Sequence, residues 1–318
     1  MARRKQGRPV HGVLVVDKPN RLSSNFVVQR LKRRMCAQKA GHTGALDPMA
    51  TGVLPIVFGE ATKFSQYGLD ADKAYSARIQ LGQATTTLDR DGEVTAEQAP
   101  ISLDRDKIEA VLARLTGVLM QIPPLISALK QDGKPWYKLA RQGVEIERRP
   151  REVTVYVHEL VAFDADAQTI DVVIRCSKGT YIRSLAESVA TELNTIAHLS
   201  ALRRLDAGGL DLRLATPLNV LEERLVGDPE ACDDLMLPID GLLTHLPRID
   251  FGEEDCMTLI QGKKVFGETA ELCHTMRAYL RDVGFIGLVQ ADSDGVISAK
   301  RMLSPAAAGM RGSSDSGP

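Results

Sequence analysis

From Gly41 to Gly52 the chain reads Gly-His-Thr-Gly-Ala-Leu-Asp-Pro-Met-Ala-Thr-Gly, with one imidazole and one carboxylate set among three glycines and a proline. Glycine lets the backbone approach a ligand closely or take up positive φ. The Pro48 ring fixes its own φ and pushes Asp47 toward extended geometry, so that Asp47 is presented and does not wander. Such a constrained loop displays a reactive group. Three other readings compete. An Asp before Pro in a Gly-rich segment is most often a turn residue that bonds its own backbone. A phosphate loop would require a Lys followed by Ser or Thr after the glycines, and none stands there. Metal binding by His42 and Asp47 lacks companion ligands at helical spacing.

At 318 residues the chain is long enough for one large and one small domain, each with its own core. Hydrophobic residues make up 44% and charged residues 25%, close to an ordinary globular protein. No apolar run reaches the length of a membrane-spanning helix, and Met1-Ala2-Arg3-Arg4-Lys5 leads into no apolar signal core. The expectation is a cytoplasmic protein with no membrane partner. Cys36, Cys176, Cys232, Cys256 and Cys273 are scattered and never form a C-x-x-C pair, which argues for buried thiols over zinc, disulfide or redox chemistry. His11, His158, His198, His245 and His274 are isolated and are read as surface or core residues.

The net charge of -1 conceals an asymmetry. Residues 1 to 40 carry Arg3, Arg4, Lys5, Arg8, Lys18, Arg21, Arg30, Lys32, Arg33, Arg34 and Lys39 against Asp17 alone, and Arg148, Arg149 and Arg151 form a second knot. Acidic residues gather at Glu222, Glu223, Asp228, Glu230, Asp233, Asp234 and Asp240. The pattern predicts a positive face suited to a phosphate backbone and a separate negative face. Aromatics total 4%, with Trp136 the sole tryptophan, too few for a stacking platform that binds single strands.

Gly12 to Asp17 reads as a buried strand. Ser23 or Ser24 caps a helix with Val28, Leu31 and Met35 on one face and Arg30, Arg33 and Arg34 on another, free to meet phosphates. Tyr75 to Leu81 alternates as a half-buried strand. Ile108, Val111, Leu112 and Leu115 mark an amphipathic helix closed by Gly117, and residues 153 to 163 and 169 to 176 read as strands. Thr216-Pro217 opens a short helix closed by Gly227. Residues 228 to 248 look like an acidic linker. Leu259 to Val265 and Val283 to Ala299 show short strands and turns.

The run from Gly41, extended through Val53-Leu54-Pro55 to Gly59-Glu60-Ala61-Thr62-Lys63, resembles the signature of the TruB family of tRNA pseudouridine synthases. Further family-like motifs follow the expected order: Gly12 to Pro19 with Ser23-Ser24, Ser127 to Lys130, Lys178 to Arg183 and Leu202 to Leu205. Chance agreement of five ordered motifs is negligible, which overrides the turn-residue reading of Asp47.

The resemblance implies an α+β fold, a mixed and largely antiparallel sheet flanked by helices, with a small C-terminal β-barrel of the PUA type. The expected domains are a basic tail (1–9), a catalytic domain (10–247), the PUA-like RNA-binding domain (248–303) and a disordered tail (304–318). The implied reaction converts uridine 55 in the tRNA T-loop to pseudouridine without cofactor or metal, on a base flipped out of a folded arm. Asp47 matches the catalytic aspartate. His42 matches the residue that fills the space left by flipped nucleotides, Tyr75 the one that stacks on the uracil, and Tyr181 and Leu202 residues that line the pocket. Without the resemblance both tyrosines read as core. Lys18 reads as structural, and Lys63 as able to touch phosphate. The expected partner is the tRNA T-arm stem-loop, met by a monomer that requires no protein partner. Competing readings are an RNA-binding module acting as a tRNA-folding chaperone and a guide-RNA-dependent relative.

Thr180 is expected to cap a helix over Tyr181 to Leu193, placing Arg183 in the first turn, where the helix dipole disfavours a cation by up to about 1 kcal/mol. An arginine there wants an anionic partner, either Asp47 or an RNA phosphate. An Asp47 partner would favour the ionised carboxylate.

Overall fold

The apolar run after Gly12 forms strand β1 (Gly12–Lys18), which lacks alternation because both its faces are buried. Leu14 and Val16 join one apolar core while Val13 and Val15 join another. β2 (Ala40–His42) and β3 (Thr51–Phe58) follow, and β3 divides the same way, with Leu54, Ile56 and Phe58 on one side and Val53 and Val57 on the other. Burying each of these large side chains stabilises the fold by roughly 1.5–3 kcal/mol.

The computed structural model describes residues 7–308 apart from 128, 132, 133, 137, 138, 140, 141, 143, 145 and 268–273. The main sheet continues with β4 (Lys73–Leu81), β5 (Gly117–Gln121), β6 (Arg151–Asp164), β7 (Thr169–Cys176), β8 (Ala197–Ala207), β9 (Leu210–Asp211) and β10 (Thr216–Pro217). Its order is β10-β1-β3-β8-β4-β7-β6-β5, with β2 added to β3 and β9 to β8. Only β1/β10 and β3/β8 pair in parallel, so the sheet is mixed and largely antiparallel. β4 alternates as its sequence predicts, with Tyr75, Ala77, Ile79 and Leu81 buried.

Helices α1 (Ser24–Arg34), α2 (Ser65–Asp70), α3 (Arg105–Arg114), α4 (Ile182–Glu192) and α5 (Leu218–Arg224) accompany this sheet. Ser23 is the cap of α1, its Oγ accepting from the Phe26 N–H at 3.2 Å, a bond whose removal costs about 1 kcal/mol. α3 is capped by Asp104 and ends at Leu115, and Gly117 opens the next strand.

The second core extends to a smaller, curled sheet of β11 (Arg248–Phe251), β12 (Val265–Phe266), β13 (Thr275–Leu280), β14 (Gly284–Ala291) and β15 (Val296–Met302), ordered β11-β13-β14-β15-β12. Phe251, Ile286 and Leu288 pack there with Val13, Val15 and Phe64. Leu259, read from sequence within a strand region, ends helix α6 (Glu253–Ile260). Lys63 ties the two sheets. Its Nζ meets Glu60 at 2.7 Å and donates to Met302 O at 3.1 Å, while Glu60 accepts from the Ser304 N–H at 2.9 Å. Lys63, read from sequence as able to touch phosphate, has these internal partners while its side chain stays 25% exposed.

Two further expectations are corrected. Residues 228 to 248 are no loose linker: Leu237 pairs with Val13 through bonds of 2.8 and 3.0 Å, and Cys232, Leu242 and Leu243 are buried. The apolar side chains in this acidic, proline-rich stretch hold it against β1. The acidic and basic stretches, expected on separate faces, also meet in places. Arg8 bonds both carboxylate oxygens of Asp233, at 2.6 and 2.7 Å, and Arg30 and Arg34 pair with Glu222. Acidic and basic stretches far apart in sequence fold together. Residues 304–308, expected to be disordered, form a turn with Ala308 buried; the rest of that segment lies outside the described residues, as do residues 1–6. No helix among the described residues is long and apolar enough to cross a membrane.

Candidate active site

Asp47 lies in the loop between β2 and β3, and the loop is pinned from several sides. Ser24 Oγ donates to Leu46 O at 3.0 Å and accepts from Leu46 N–H at 2.7 Å. The Ala50 N–H closes a turn on Asp47 O at 3.0 Å. Lys18, fully buried, donates to Pro19 O, Leu22 O and Pro48 O at 2.9, 2.7 and 3.3 Å. Three carbonyls take its three donors, in keeping with the structural reading of Lys18. Gly52, at φ +98°, runs so close to β8 that a Cβ would stand 2.2 Å from Arg204 O.

Asp47 opens into a cleft of about 330 Å³ lined also by Tyr75, Tyr181, Arg183 and Leu202. Tyr75 comes from β4, Leu202 from β8, and Tyr181 and Arg183 from the start of α4. Residues far apart in sequence thus meet in one place. Arg183, 4% exposed, directs its donors at four groups. Nε reaches Asp47 Oδ2 at 2.9 Å, and Nη2 reaches Asp47 Oδ1 at 3.2 Å and Ile126 O at 3.0 Å. Nη1 donates to Thr87 O at 2.8 Å and lies 3.7 Å from Asp89 Oδ2. The anionic partner the sequence requires is Asp47, with Asp89 behind it.

The helix start differs from expectation. Tyr181, not Thr180, is the N-cap, because the Thr180 hydroxyl is committed to Ser177 O at 2.9 Å within the preceding turn. Gln121 of β5 holds the Tyr181 backbone instead, accepting from its N–H at 2.8 Å and donating to its O at 3.0 Å.

Burial pushes the Asp47 carboxyl above its ordinary range and Asp89 adds to that, while Arg183 and Lys18 pull it back. The expected Arg183 effect is present but is outweighed by burial. Burial likewise raises both tyrosines, with Arg204 holding Tyr75 partly down. Burial lowers Lys18 to about 8 and does the same to Lys73, another cleft residue whose Nζ caps the end of α2 through Gly68 O, Leu69 O and Ala71 O.

His42 is the predicted residue not found among the cleft walls. It ends β2, its Nδ1 accepts from the Gly44 N–H at 3.3 Å, and burial lowers its pKa. Ser127 lines the cleft, whereas residue 128 and the Lys130 side chain of the same motif lie outside the described residues. Sequence reading missed Asp89, Lys73, Gln121 and Arg204. Asp89 sits in a Thr-Leu-Asp-Arg-Asp-Gly stretch whose only local signal is a turn. Arg204 carried a signal, its place in the Leu202 to Leu205 motif. Among the described residues no group of three or more His, Cys, Asp or Glu could hold a metal ion.

A carboxylate presented by a pinned loop to a cleft with an arginine and two tyrosines, on this mixed sheet, defines a protein of the pseudouridine synthase fold. A solved Cbf5-Nop10-Gar1 complex shares that fold with a TM-score of 0.70 over 92% of this chain and 84% of that one, at 24% identity. Residues 32–182 match the model of the TruB family pseudouridylate synthase N-terminal domain. The tRNA pseudouridine synthase B of Chromohalobacter salexigens is 44% identical over 96% of this chain and 98% of its own. That of Stutzerimonas stutzeri is 44% identical over 93% and 96%. The chain belongs to the TruB family.

Proposed function

We propose that this protein is a stand-alone, cytoplasmic tRNA pseudouridine synthase that isomerises uridine 55 of the T-loop, with Asp47 as the essential carboxylate. The observation that supports this most is the Arg183 fork on Asp47 at the cleft shared with Tyr75, Tyr181 and Leu202. A cleft of about 330 Å³ suits one extruded nucleotide and not a stacked duplex. The reaction breaks the bond from ribose C1′ to uracil N1, turns the base and joins C1′ to C5, with a proton lost from C5 and one taken up at N1. Ionised Asp47 acts on the nucleotide, oriented by Arg183. Tyr75 stacks on the uracil and Tyr181 and Leu202 confine it. His42, just outside the cleft wall, fills the space the flipped nucleotide leaves in the T-loop. Recognition rests on the folded shape of the T-arm, aided by a PUA-like C-terminal domain over residues 248–303.

Mapping pseudouridine in transcript tRNA after incubation with the purified protein alone tests the reading. Modification at position 55 is expected, and Asp47→Asn is expected to abolish it. Pseudouridine formed by Asp47→Asn would overturn the mechanism. Binding and refolding of tRNA without modification would point to a chaperone, and a requirement for added guide RNA to a guide-dependent enzyme.

A further inference from the structure

Arg204 is 1% exposed, and its guanidinium bridges the loop that carries Asp47 and the strand β3 that follows it. Nε donates to Val53 O at 2.6 Å and Nη2 to Gly44 O at 3.1 Å. These two carbonyls stand at the two ends of the segment that presents Asp47. Gly52, at φ +98°, lies so close that a Cβ there would be driven into the Arg204 backbone, whereas one at Gly44 would meet Arg204 Nη1 only at ordinary contact distance, 3.6 Å. On β8, Arg204 pairs with Gly52 of β3 on one side and with Tyr75 of β4 on the other. With Arg203, which pairs with Thr51 and Ser76, it touches both the strand extending the Asp47 loop and the strand carrying Tyr75, but of the two only Arg204 is buried. A buried guanidinium is expensive to desolvate, and well-packed apolar residues often serve stability as well or better. Stability alone is therefore a weak reason for one here.

We propose that Arg204 is a positioning residue, clamping Gly44 O and Val53 O so that the Asp47 carboxylate keeps a fixed place relative to the Tyr75 ring. Ser24 and Lys18 hold the loop only at Leu46 and Pro48. Without the Arg204 clamp the Gly44 end of the loop loses its tie to β3, while Val53 stays in its ladder with β1. A displacement of about 1 Å at a reacting group costs on the order of 10²-fold in rate. The catalytic part of this inference rests on the function proposed above; the mechanical part does not.

The test uses full-length protein with Arg204→Gln and Arg204→Lys. Lys keeps the charge but has no fork and reaches one carbonyl at a time. Hydrogen exchange measured by mass spectrometry reads the clamp without reference to activity. Amides of residues 44–50 are expected to exchange at least tenfold faster in Arg204→Gln, with α1 and the C-terminal sheet unchanged. Single-turnover modification of a T-arm stem-loop at saturating RNA is expected to fall about 10²-fold for Gln and less for Lys, with RNA affinity within threefold of wild type. Unchanged exchange over residues 44–50 in a folded variant overturns the proposal. So does a loss confined to RNA affinity. If Arg204→Gln does not fold, Arg204→Lys carries both measurements. A wild-type protein that makes no pseudouridine would refute the proposed function and leave the exchange result to decide the clamp.

Discussion

Asp47 and Arg183 share two contacts but not one environment: the carboxylate is 36% exposed and the guanidinium 5%. The arginine is fixed from behind, and the carboxylate faces the cleft. Burial nevertheless dominates the Asp47 proton equilibrium and raises its pKa above the ordinary Asp value, with Arg183 opposing. Since the reaction needs the ionised form, activity should fall as pH drops through this raised value. Removing Arg183 deletes an opposing effect, so Arg183→Gln should move the acid limb to higher pH as well as lowering the plateau. Single-turnover rates on a T-arm stem-loop from pH 4 to 8 check this, and an acid limb that stays in place or moves down would contradict it.

Arg183→Lys is not conservative here. Nε and Nη2 grip Asp47 side-on while Nη1 and Nη2 reach Thr87 O and Ile126 O. An ammonium offers three donors around a point and cannot serve both carboxylate oxygens and two carbonyls placed around a planar group. The expected loss is about 10²-fold in single-turnover rate, as for a misplaced reacting group, with stem-loop affinity little changed. A rate within threefold of wild type would show that charge alone suffices.

How far the sequence reveals this site depends on the range of the signal. Local chemistry marked the loop as constrained, with Gly, Asp and Pro within a few residues, but left a plain turn as the commoner reading of Asp47, which the family resemblance overrode. Period-2 alternation placed Tyr75 on a buried strand face, and the helix-dipole argument required an anion for Arg183 without choosing which. What stayed hidden is long-range. Asp89 looks like any turn aspartate until β8 and α4 bring Arg183 to it. The cap at Tyr181 was misassigned because only the folded turn reveals that the Thr180 hydroxyl is taken. Charge segregation failed for the same reason, since composition along a chain does not say that Glu222 lies against α1.

That last contact bears on RNA binding. Glu222, with its side chain 15% exposed, pairs with Arg30 and Arg34, two of the three arginines on the outer face of α1. Neutralising either arginine should therefore change the salt dependence of RNA binding little, because neither is fully available to a phosphate. Glu222→Gln should release both. The expected result is tighter stem-loop binding at low salt and a slope of log K against log salt steeper by about 0.7–0.9 for each phosphate gained. An unchanged slope for Glu222→Gln would mean that α1 does not meet the RNA backbone.

His158 on β6 supplies a pH effect remote from the cleft. The ring is 7% exposed, neither nitrogen makes a well-formed hydrogen bond among the described residues, and burial, opposed by the Leu115 backbone, lowers its pKa from 6.5 to about 4. The neutral form is therefore the one the fold accommodates. Above the unfolded value of about 6.5 neither state is protonated and the group does not weaken the fold. As pH falls from there toward 4, the unfolded chain takes up the proton first, and stability is lost progressively, by no more than about 3 kcal/mol. His158→Leu removes both the proton site and two unpaired buried nitrogens, at similar bulk. Leaving a buried polar group unpaired is what costs, so the variant should equal or exceed wild type at pH 7. Between pH 6.5 and 4 its stability should decline less steeply. Urea unfolding at several pH values separates the two curves. If they run parallel across that window, the His158 ring takes up its proton equally in folded and unfolded chains, and the acid sensitivity of the fold lies in its carboxylates.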